Sequence, residues 1–398
     1  MISKEIIKAY ALKNAVEHDG KAAAGSVING LFNHGLQKDK IKDEMPGINL
    51  VIKEVNKLSL DEQEKEYNKL KDLVGHRPER EGLPEIPIKG KIISRFSPSA
   101  SGPLHIGHAL TASLSYLYVK KNKGKFYLRI EDTNPENCFK ESYKLIKEDG
   151  DWLFEKKDKL VIQSERINLY YKYIKELLKK NASYVCTCDS EKFKEYSLGK
   201  RDCPCRNLSV KENLERWNKM LDKKGYKEGD AVVRFKSGMQ LNNPAMRDFP
   251  LARINLTSHP LQKNKYRVWP LMNLAVAVDD MELKMNLIIR GKDHRDNAEK
   301  QKLIFNVFNK KYPLSYFLGR IHFKDMNLST TQMRKDIEAG KYKGWDDPKL
   351  PTLISLRKQG YKPIAFHKFA EQIGLSEVDK NLDKKEFFLL LDNFNKSE

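Results

Sequence analysis

The stretch that most constrains the fold joins an apolar strand to a helix through a turn rich in serine, proline, glycine and histidine. It runs from Arg95 to His108 and reads Arg-Phe-Ser-Pro-Ser-Ala-Ser-Gly-Pro-Leu-His-Ile-Gly-His. Apolar residues at its start predict a buried strand, residues 109–121 have helical spacing, and a second strand is predicted at 126–130. This order predicts an α/β protein with a Rossmann-type parallel sheet, in which ligands bind at the carboxyl ends of the strands.

The turn has the composition of a nucleotide site. Gly102 and Gly107 let the backbone approach a ligand where a Cβ would collide, and the amides that open the following helix can hold phosphate. His105 and His108 lie on neighbouring positions of the first turn, so both imidazoles can donate hydrogen bonds to a phosphate whose charge grows in a transition state. A short His-Ile-Gly-His match can arise by chance, but its place between strand and helix favours an ATP site with two catalytic histidines.

Through this His-Ile-Gly-His turn the chain resembles the class I aminoacyl-tRNA synthetases. The longer segments Arg95-Phe-Ser-Pro-Ser99 and Arg129-Ile-Glu-Asp-Thr-Asn-Pro135 are similar to the glutamyl and glutaminyl branch, particularly in its archaeal form. The resemblance implies an α/β catalytic domain split by an acceptor-end insert and flanked by helical regions. It also implies ATP with Mg²⁺, glutamate and tRNA(Glu) as substrates, and a first step that requires tRNA.

A second signature of the class, whose lysine steadies the triphosphate as pyrophosphate leaves, matches Asn327-Leu-Ser-Thr-Thr-Gln-Met-Arg-Lys335. Gln332 stands where that lysine often stands, and glutamine brings no charge. We therefore expect slower activation, unless Arg334 or Lys335 reaches the phosphates from the next turn. The ATP-binding residues predicted from the two signatures are Ser97, Gly102, Gly107, Ser329, Thr330, Arg334 and Lys335.

The predicted amino-acid site combines two arginines with a carboxylate. Arg290 ends a buried strand, and its guanidinium can grip a carboxylate with two hydrogen bonds, although a salt bridge that closes the strand end is the structural alternative. Glutamate carries two carboxylates, so a site with both Arg95 and Arg290 fits glutamate better than glutamine. Glu131 directly follows a strand and can bind the α-ammonium group, as the resemblance also implies, whereas Asp132 or Thr133 is predicted to cap a helix.

One position departs from the family pattern. Met272 stands where the family usually has a tyrosine that contacts the amino-acid side chain, and a methionine cannot donate that hydrogen bond. Either a neighbour replaces the tyrosine or the pocket binds its ligand more weakly. The predicted substrate-binding residues are Arg95, Ser99, Glu131, Met272 and Arg290.

Four of the five cysteines fall in two Cys-x-Cys pairs separated by fourteen residues. In a cytosolic protein, thiolates at such spacing hold zinc more often than they form disulfides. Four protein ligands leave no open position for water, so the zinc would be structural; four free thiols in a loop are the alternative. Cys138 stands alone and is predicted to be a small buried hydrophobe. The predicted zinc ligands are Cys186, Cys188, Cys203 and Cys205.

The patterns divide the chain into five predicted segments. They are an N-terminal helical extension and linker (1–88), the first half of the Rossmann domain (89–185), an acceptor-end insert with the zinc knuckle (186–253), the second half of the Rossmann domain (254–324), and the signature loop with a helical stem-contact region (325–398). Relatives continue into a β-rich anticodon-binding module, so the chain is expected to lack that module. A separate module or partner subunit is therefore an expected candidate partner.

Charge indicates the kind of partner. Lysine and arginine outnumber aspartate and glutamate by 74 to 54, a formal charge of +20, so a polyanion such as tRNA is expected, with a merely solvated basic surface as the alternative. The N terminus lacks the apolar core of a signal peptide and no apolar run is long enough to span a bilayer. We therefore expect a cytoplasmic protein with no membrane partner.

Three other functions are compatible with the same residues. The first is glutaminylation of tRNA. The second is glutamylation of a modified tRNA base by a shortened relative, which the archaeal-type motifs and the long N-terminal extension disfavour. The third is a paralogue that binds tRNA without charging it, which Met272 and Gln332 suggest.

Overall fold

The computed structural model describes residues 2–74, 82–155 and 157–396, apart from the side chain of Lys38. The chain divides into two units, Met1–Glu81 and Gly82–Glu398. No helix within the described ranges is both long and apolar enough to cross a bilayer.

The first unit is helical and has its own apolar core. Ser3 caps the first helix, and Ser59 with Glu62 forms a capping box at the fourth, so each of these helices begins where a side chain accepts a free backbone N–H. Residues 1–81 contain 14 basic and 14 acidic residues, so the formal charge of +20 arises entirely from the second unit. The helices are α1 (Lys4–Glu17), α2 (Ala24–Leu31), α3 (Ile41–Val55) and α4 (Leu60–Leu70).

The second unit contains the predicted parallel sheet in two pieces. Three strands pair in the order β1-β2-β3 and two more pair as β8-β9, all parallel. Asn286, just before β8, donates its backbone N–H to the carbonyl of Ile93 in β1, so the two pieces lie side by side. The strands are β1 (Ile93–Phe96), β2 (Lys125–Ile130), β3 (Lys159–Ile162), β8 (Leu287–Gly291) and β9 (Leu314–Leu318).

Helices connect and cover these strands. The helix after the histidine turn packs on the sheet mainly through buried leucine, alanine and tyrosine side chains, with Ser113 and Ser115 buried among them. The connecting helices are α5 (Ile106–Lys121), α6 (Ser142–Leu153), α7 (Ile167–Lys179), α10 (Met272–Glu282) and α11 (Arg295–Val307).

Between the two pieces of the parallel sheet, the sequence forms a four-stranded antiparallel sheet in the order β4-β5-β6-β7. Its first strand begins three residues before the predicted insert and its last lies beyond residue 253, so the sheet extends past both predicted boundaries of the insert. Its elements are β4 (Ser183–Cys186), α8 (Ser190–Leu198), α9 (Val210–Leu221), β5 (Val232–Phe235), β6 (Pro250–Ile254) and β7 (Val268–Pro270).

The last part of the chain returns to the histidine turn. Ile106 donates its backbone N–H to the carbonyl of Pro351, and Leu353 donates to that of Leu104, so the segment after the second signature runs along the turn. The remaining elements are β10 (Ile321–Phe323), α12 (Thr330–Glu338), α13 (Leu353–Lys358), α14 (Pro363–Ile373), β11 (Lys380–Leu382) and α15 (Lys384–Lys396).

Candidate active site

The two predicted catalytic histidines lie together at the start of α5. His105 is the N-cap residue, and its Nδ1 accepts the backbone N–H of Gly107 at 3.1 Å, which leaves the ring proton on Nε2. The rings of His105 and His108 stack with centroids 3.7 Å apart. A Cβ at Gly107 would lie 3.1 Å from the His105 ring and 3.2 Å from Leu328 of the second signature, so glycine permits this close packing.

Both imidazoles are neutral donors at neutral pH. Burial, and then the charge of His108, lowers the pKa of His105 well below its usual value. Burial lowers the pKa of His108 to about 4. His108 Nδ1 is buried and has no hydrogen-bond partner among the described residues, so it can serve a ligand without breaking an existing bond.

The neutral state has a consequence for pH dependence. Because both pKa values lie below the usual value of a histidine, we expect kcat for the reaction at this site to show no ionisation of either ring between about pH 6 and pH 8. The measurement is a pH profile of kcat for the wild type and for His108→Asn. A limb near pH 6.5 that is present in the wild type and absent from the variant would contradict the expectation.

An aspartate that the sequence did not single out anchors the turn. Asp149 of α6 is buried and accepts the backbone N–H of Leu104, the residue before His105, at 2.9 Å. Burial raises the pKa of Asp149 to about 7, against the opposing effect of that hydrogen bond. A buried acid in an otherwise amphipathic helix was the only available signal.

The predicted substrate-binding residues surround one cavity at the carboxyl ends of β1, β2 and β8. Its volume is about 360 Å³, and all five of them line it. His108 and Ser97 line it as well, and the Ser97 hydroxyl is buried without a hydrogen-bond partner in the described part of the chain. The lining residues named by the sequence are Arg95, Ser97, Ser99, His108, Glu131, Met272 and Arg290.

Arg95 and Glu131 are held by partners that sequence reasoning missed. Arg95 bonds through Nε and Nη2 to the two carboxylate oxygens of Asp280, both at 3.3 Å. Arg129, fully buried, donates to Asp280 at 2.6 Å and to Glu131 at 3.1 Å. Asp279 lies beside Asp280, and two consecutive acids in a buried apolar helix were the signal that could have revealed this cluster.

The segment Gln163-Ser-Glu-Arg166, which has no role predicted from sequence, belongs to the same cluster. Arg166 donates to Asp279 at 2.7 Å and Gln163 donates to it at 2.9 Å. Tyr170 adds a third hydrogen bond to the same carboxylate, at 2.8 Å. The first turn of α7 is thereby tied to α10.

Arg290 lines the same cavity and has polar partners of its own. Its Nη2 donates to Gln301 and to the hydroxyl of Tyr312, each at 3.0 Å, while its Nε is buried without a partner among the described residues. Burial lowers the pKa of Arg290 below its usual value. No carboxylate is among its described hydrogen-bond partners, so it is not the strand-end salt bridge considered above, and Nε is free for a ligand.

Met272 opens α10 beside this arginine. Its sulfur lies 3.9 Å from the side-chain nitrogen of Gln301, which also donates to Asn273 at 3.2 Å. The tyrosine hydroxyl that accepts a hydrogen bond from Arg290 belongs to Tyr312, which does not line the cavity, and not to a residue at position 272. Tyr312 therefore affects this side of the pocket through its hydrogen bond to Arg290.

The predicted capping role of Asp132 or Thr133 is wrong. No α-helix begins there; a short 3₁₀ turn starts at Pro135, and its N-cap residue Asn134 makes no side-chain capping bond. Asp132 is buried and instead accepts the backbone N–H of Ser164 and the hydroxyl of Tyr143, each at 2.8 Å. The carboxylate therefore joins β2 to the neighbouring segment.

The second signature lies against the first. The Thr330 hydroxyl is 3.1 Å from that of Ser101, and a Cβ at Gly102 would come within 3.3 Å of Thr330. Ser329 caps α12, and its hydroxyl accepts the backbone N–H of Gln332. The predicted ATP-binding residues Gly102, Ser329, Thr330, Arg334 and Lys335 do not line the cavity.

The two basic residues of the second signature lie outside the lining of the substrate cavity. The Arg334 guanidinium lies 5.3 Å from the ring centroid of Phe139, and Lys335 is exposed. An adjoining cavity of about 340 Å³ shares Thr111 and Gly291 with the first and is lined by Gly107. The two cavities together extend along the start of α5.

The four paired cysteines come together in the insert. Their sulfurs all lie within 4.8 Å of one another, with Cys186 and Cys203 at 3.9 Å and Cys188 and Cys205 also at 3.9 Å. Cys138 lies outside the cluster; it is half-buried, and its thiol donates to the carbonyl of Asn134 at 3.2 Å. Cys138 packs against the main core, but it also makes a polar contact.

Several known proteins are similar to this chain in sequence. Residues 91–392 match the family of class I tRNA synthetases (E and Q), catalytic domain. The chain is 43% identical over 378 residues to the glutamate–tRNA ligase of Methanocaldococcus jannaschii, covering 94% of this chain and 68% of the relative. It is 43% identical over 381 residues to that of Pyrococcus abyssi, covering 93% of this chain and 66% of the relative. It is 38% identical over 402 residues to that of Methanothermobacter marburgensis, covering 100% of this chain and 72% of the relative.

A solved structure supports the fold. The crystal structure of the glutamate-tRNA synthetase from Elizabethkingia anophelis superposes with a TM-score of 0.55 at 22% identity, covering 75% of this chain and 70% of that one. At this identity the likeness concerns the fold alone. Family match, sequence identity and fold agree with the geometry above: the chain belongs to the class I tRNA synthetases of the glutamate and glutamine branch, and contains their catalytic domain.

Proposed function

We propose that this protein attaches glutamate to the 3′ end of tRNA(Glu) in two steps. In the first, the α-carboxylate of glutamate attacks the α-phosphate of Mg²⁺-bound ATP, the bond to the β-phosphate breaks, and pyrophosphate leaves. In the second, a ribose hydroxyl of the terminal adenosine attacks the acyl carbon of glutamyl adenylate and AMP leaves. No side chain acts as nucleophile, so the protein contributes position and electrostatics.

The observation that carries this proposal is the charge around the cavity. The cavity lining and the ion-pair cluster connected to it contain four arginines and three carboxylates, which leaves one positive charge in excess; three of the arginines are buried and Arg166 is 21% exposed. Glutamate has two carboxylates and one ammonium group and therefore brings one negative charge. Glutamine brings none, so it would leave the excess unpaired. The groups counted are Arg95, Arg129, Arg166, Arg290, Glu131, Asp279 and Asp280.

Individual roles follow from the positions around the cavity. Glu131 receives the α-ammonium group, and Arg95 and Arg290 receive the two carboxylates, with Nε of Arg290 unpartnered in the described structure. Ser99 and Met272 complete the wall. These assignments place the reacting carboxylate between the arginines and the histidine turn.

ATP binding uses the turn and the adjoining cavity. His105 and His108 donate to the α-phosphate, and the buried, unpartnered Ser97 hydroxyl is available to the same ligand. Gly102 and Gly107 keep the backbone close, and the cavity lined by Gly107 has room for the base. Ser329, Thr330, Arg334 and Lys335 act on the triphosphate from the second signature, where Arg334 and Lys335 supply the charge that Gln332 lacks.

tRNA is the polyanion that the charge distribution indicates. The excess of basic residues belongs to the second unit, which carries the cavity and the insert, whereas the first unit is formally neutral. Neutralising phosphates requires Lys and Arg, so we place the tRNA contacts on the second unit.

The cysteine cluster fits zinc. A zinc–sulfur bond of about 2.3 Å places the sulfurs of a tetrahedral site about 3.8 Å apart, and two pairs here are separated by 3.9 Å. The backbone N–H of Thr187 and the guanidinium of Arg216 both point at Cys205 Sγ, as expected around a thiolate. We therefore propose Cys186, Cys188, Cys203 and Cys205 as ligands of a structural zinc.

The zinc proposal makes a separate prediction. Cys203→Ser is expected to reduce bound zinc from about one ion per chain to near zero and to lower Tm by several degrees, because binding free energy is also folding free energy. Elemental analysis and a thermal melt measure both quantities. Cys138→Ser, at the cysteine outside the cluster, is the matched control and should keep its zinc. Purified wild type that binds no zinc at saturating Zn²⁺ would contradict the proposal.

The alternatives fit less well. Glutaminylation would leave the excess positive charge around the cavity unpaired. A protein that binds tRNA without catalysis does not explain why all predicted amino-acid contacts line one cavity next to two neutral histidines. The relatives reported above are named glutamate–tRNA ligases.

The test is tRNA charging with labelled glutamate and glutamine in parallel, with unfractionated archaeal tRNA and ATP. We expect alkali-labile glutamate on tRNA and at least about 100-fold less glutamine. Preferred charging with glutamine, or alkali-stable glutamate on a base, would replace the proposal with one of its alternatives.

A further inference from the structure

Asp280 is hydrogen-bonded to two arginines, one of which is a proposed glutamate ligand. Its two oxygens accept three hydrogen bonds, two from Arg95 of β1 and one from Arg129 of β2. The aspartate side chain itself is 1% exposed and does not line the substrate cavity. It therefore acts on any ligand only through these arginines.

The second arginine connects Asp280 to Glu131. Arg129 is completely buried and reaches Glu131, the proposed ammonium ligand, at 3.1 Å while it holds Asp280 at 2.6 Å. A chain of contacts thus runs from Arg95 through Asp280 and Arg129 to Glu131. It joins a carboxylate-binding group to the ammonium-binding group.

We propose that Asp280 is a positioning residue that sets the distance between Arg95 and Glu131, and with it the fit of the two ends of the amino acid. The inference rests on the proposed function, because it takes these two side chains as the amino-acid ligands. It deepens that function by naming the residue on which glutamate recognition depends from outside the pocket.

The neighbouring aspartate has a different task. Asp279 accepts hydrogen bonds from Arg166, Gln163 and Tyr170, which lie on or just before α7. The carboxylate of Asp279 lies 3.8 Å from Nε of Arg129. Asp279 therefore anchors α7, whereas Asp280 serves the pocket.

Asp280 is ionised in this position. Burial opposes its charge, but Arg95 and Arg129 outweigh burial and lower its pKa below the usual value. Asparagine has the same shape without the charge and cannot accept on both sides, so it leaves one arginine without its partner. Asp280→Asn is consequently the informative substitution.

The experiment measures binding of a non-hydrolysable sulfamoyl analogue of glutamyl adenylate by calorimetry. We expect Asp280→Asn to weaken it about 10- to 100-fold, and to change the Kd of ATP less than about threefold, because the turn and the adjoining cavity are untouched. The matched control is Asp248→Asn, at a buried aspartate of the insert that holds Arg206 at 2.8 Å and Tyr184 at 3.0 Å. That variant should lose thermal stability and keep its affinity for the analogue.

A second variant covers the case in which Asp280→Asn does not fold. Arg129→Lys keeps the buried positive charge but cannot reach Asp280 and Glu131 together, so it should also weaken the analogue about tenfold with ATP affinity retained. Folded variants that bind the analogue as the wild type does, or that lose analogue and ATP affinity equally, would overturn the inference. A wild type that binds the analogue but charges no tRNA would overturn the proposed function alone.

Discussion

Alanine at His108 is expected to lower kcat for tRNA glutamylation about 100- to 1000-fold, because one preorganised donor to the transition-state phosphate is lost. The side chain lines the substrate cavity, stacks on His105 at 3.7 Å, and has an unpartnered Nδ1 in the described structure. KM for glutamate should change less, since the arginines remain in place. Steady-state charging with saturating tRNA measures both constants.

The conservative variant of this histidine separates chemistry from folding. His108→Asn keeps an N–H donor of similar reach and should retain at least about tenfold more activity than His108→Ala. Equal activity of the wild type and the alanine variant would remove His108 from the proposed chemistry. Equal loss in both variants, with lowered Tm, would show a purely structural role.

Alanine at Arg290 is expected to have the second large effect, on glutamate itself. Truncating a buried group that pairs with a ligand charge costs about 2–5 kcal/mol, so kcat/KM for glutamate should fall at least about 30-fold. Gln301 and Tyr312, each 3.0 Å from this guanidinium, would lose a hydrogen-bond donor. Neither side chain carries a positive charge that could replace the guanidinium. The preference for glutamate over glutamine should shrink as well.

Arg295→Ala provides the control for that change. Arg295 opens α11 five residues later, is 54% exposed, and pairs with Glu377 at 2.7 Å at the surface. Removing an exposed pair of this kind costs little, so glutamate kcat/KM should stay within about threefold of the wild type. If both variants lost activity to the same degree, the special role of Arg290 would be contradicted.

Local chemistry explains which parts of the site could be predicted from the sequence. The histidine turn combines a strand, glycines and a helix start within fourteen residues, so its structure depends on neighbours in sequence. Arg95, Glu131 and Arg290 stand at the ends of parallel strands, and such ends meet at one edge of the sheet. The paired cysteines are also close in sequence, since only residues 189–202 separate the two pairs.

Long-range pairing explains what could not be predicted. Asp280 finds Arg95 and Arg129 across 185 and 151 residues, and nothing local to α10 indicates those partners. The erroneous capping role of Asp132 has the same origin, because its partner Ser164 lies 32 residues away. Buried acids satisfied by distant groups look like caps or surface residues in a single sequence.

The central claim is that one cavity recognises glutamate by its charge. Comparing the affinities of two ligands that differ in this charge tests the claim most directly. The sulfamoyl analogues of glutamyl and glutaminyl adenylate differ only in one carboxylate, so calorimetry on both isolates that group. We expect the glutamyl analogue to bind at least about 100-fold more tightly, and the preference to fall about tenfold or more in Arg290→Ala. Equal affinities for the two analogues, or a preference unchanged by the substitution, would contradict the claim.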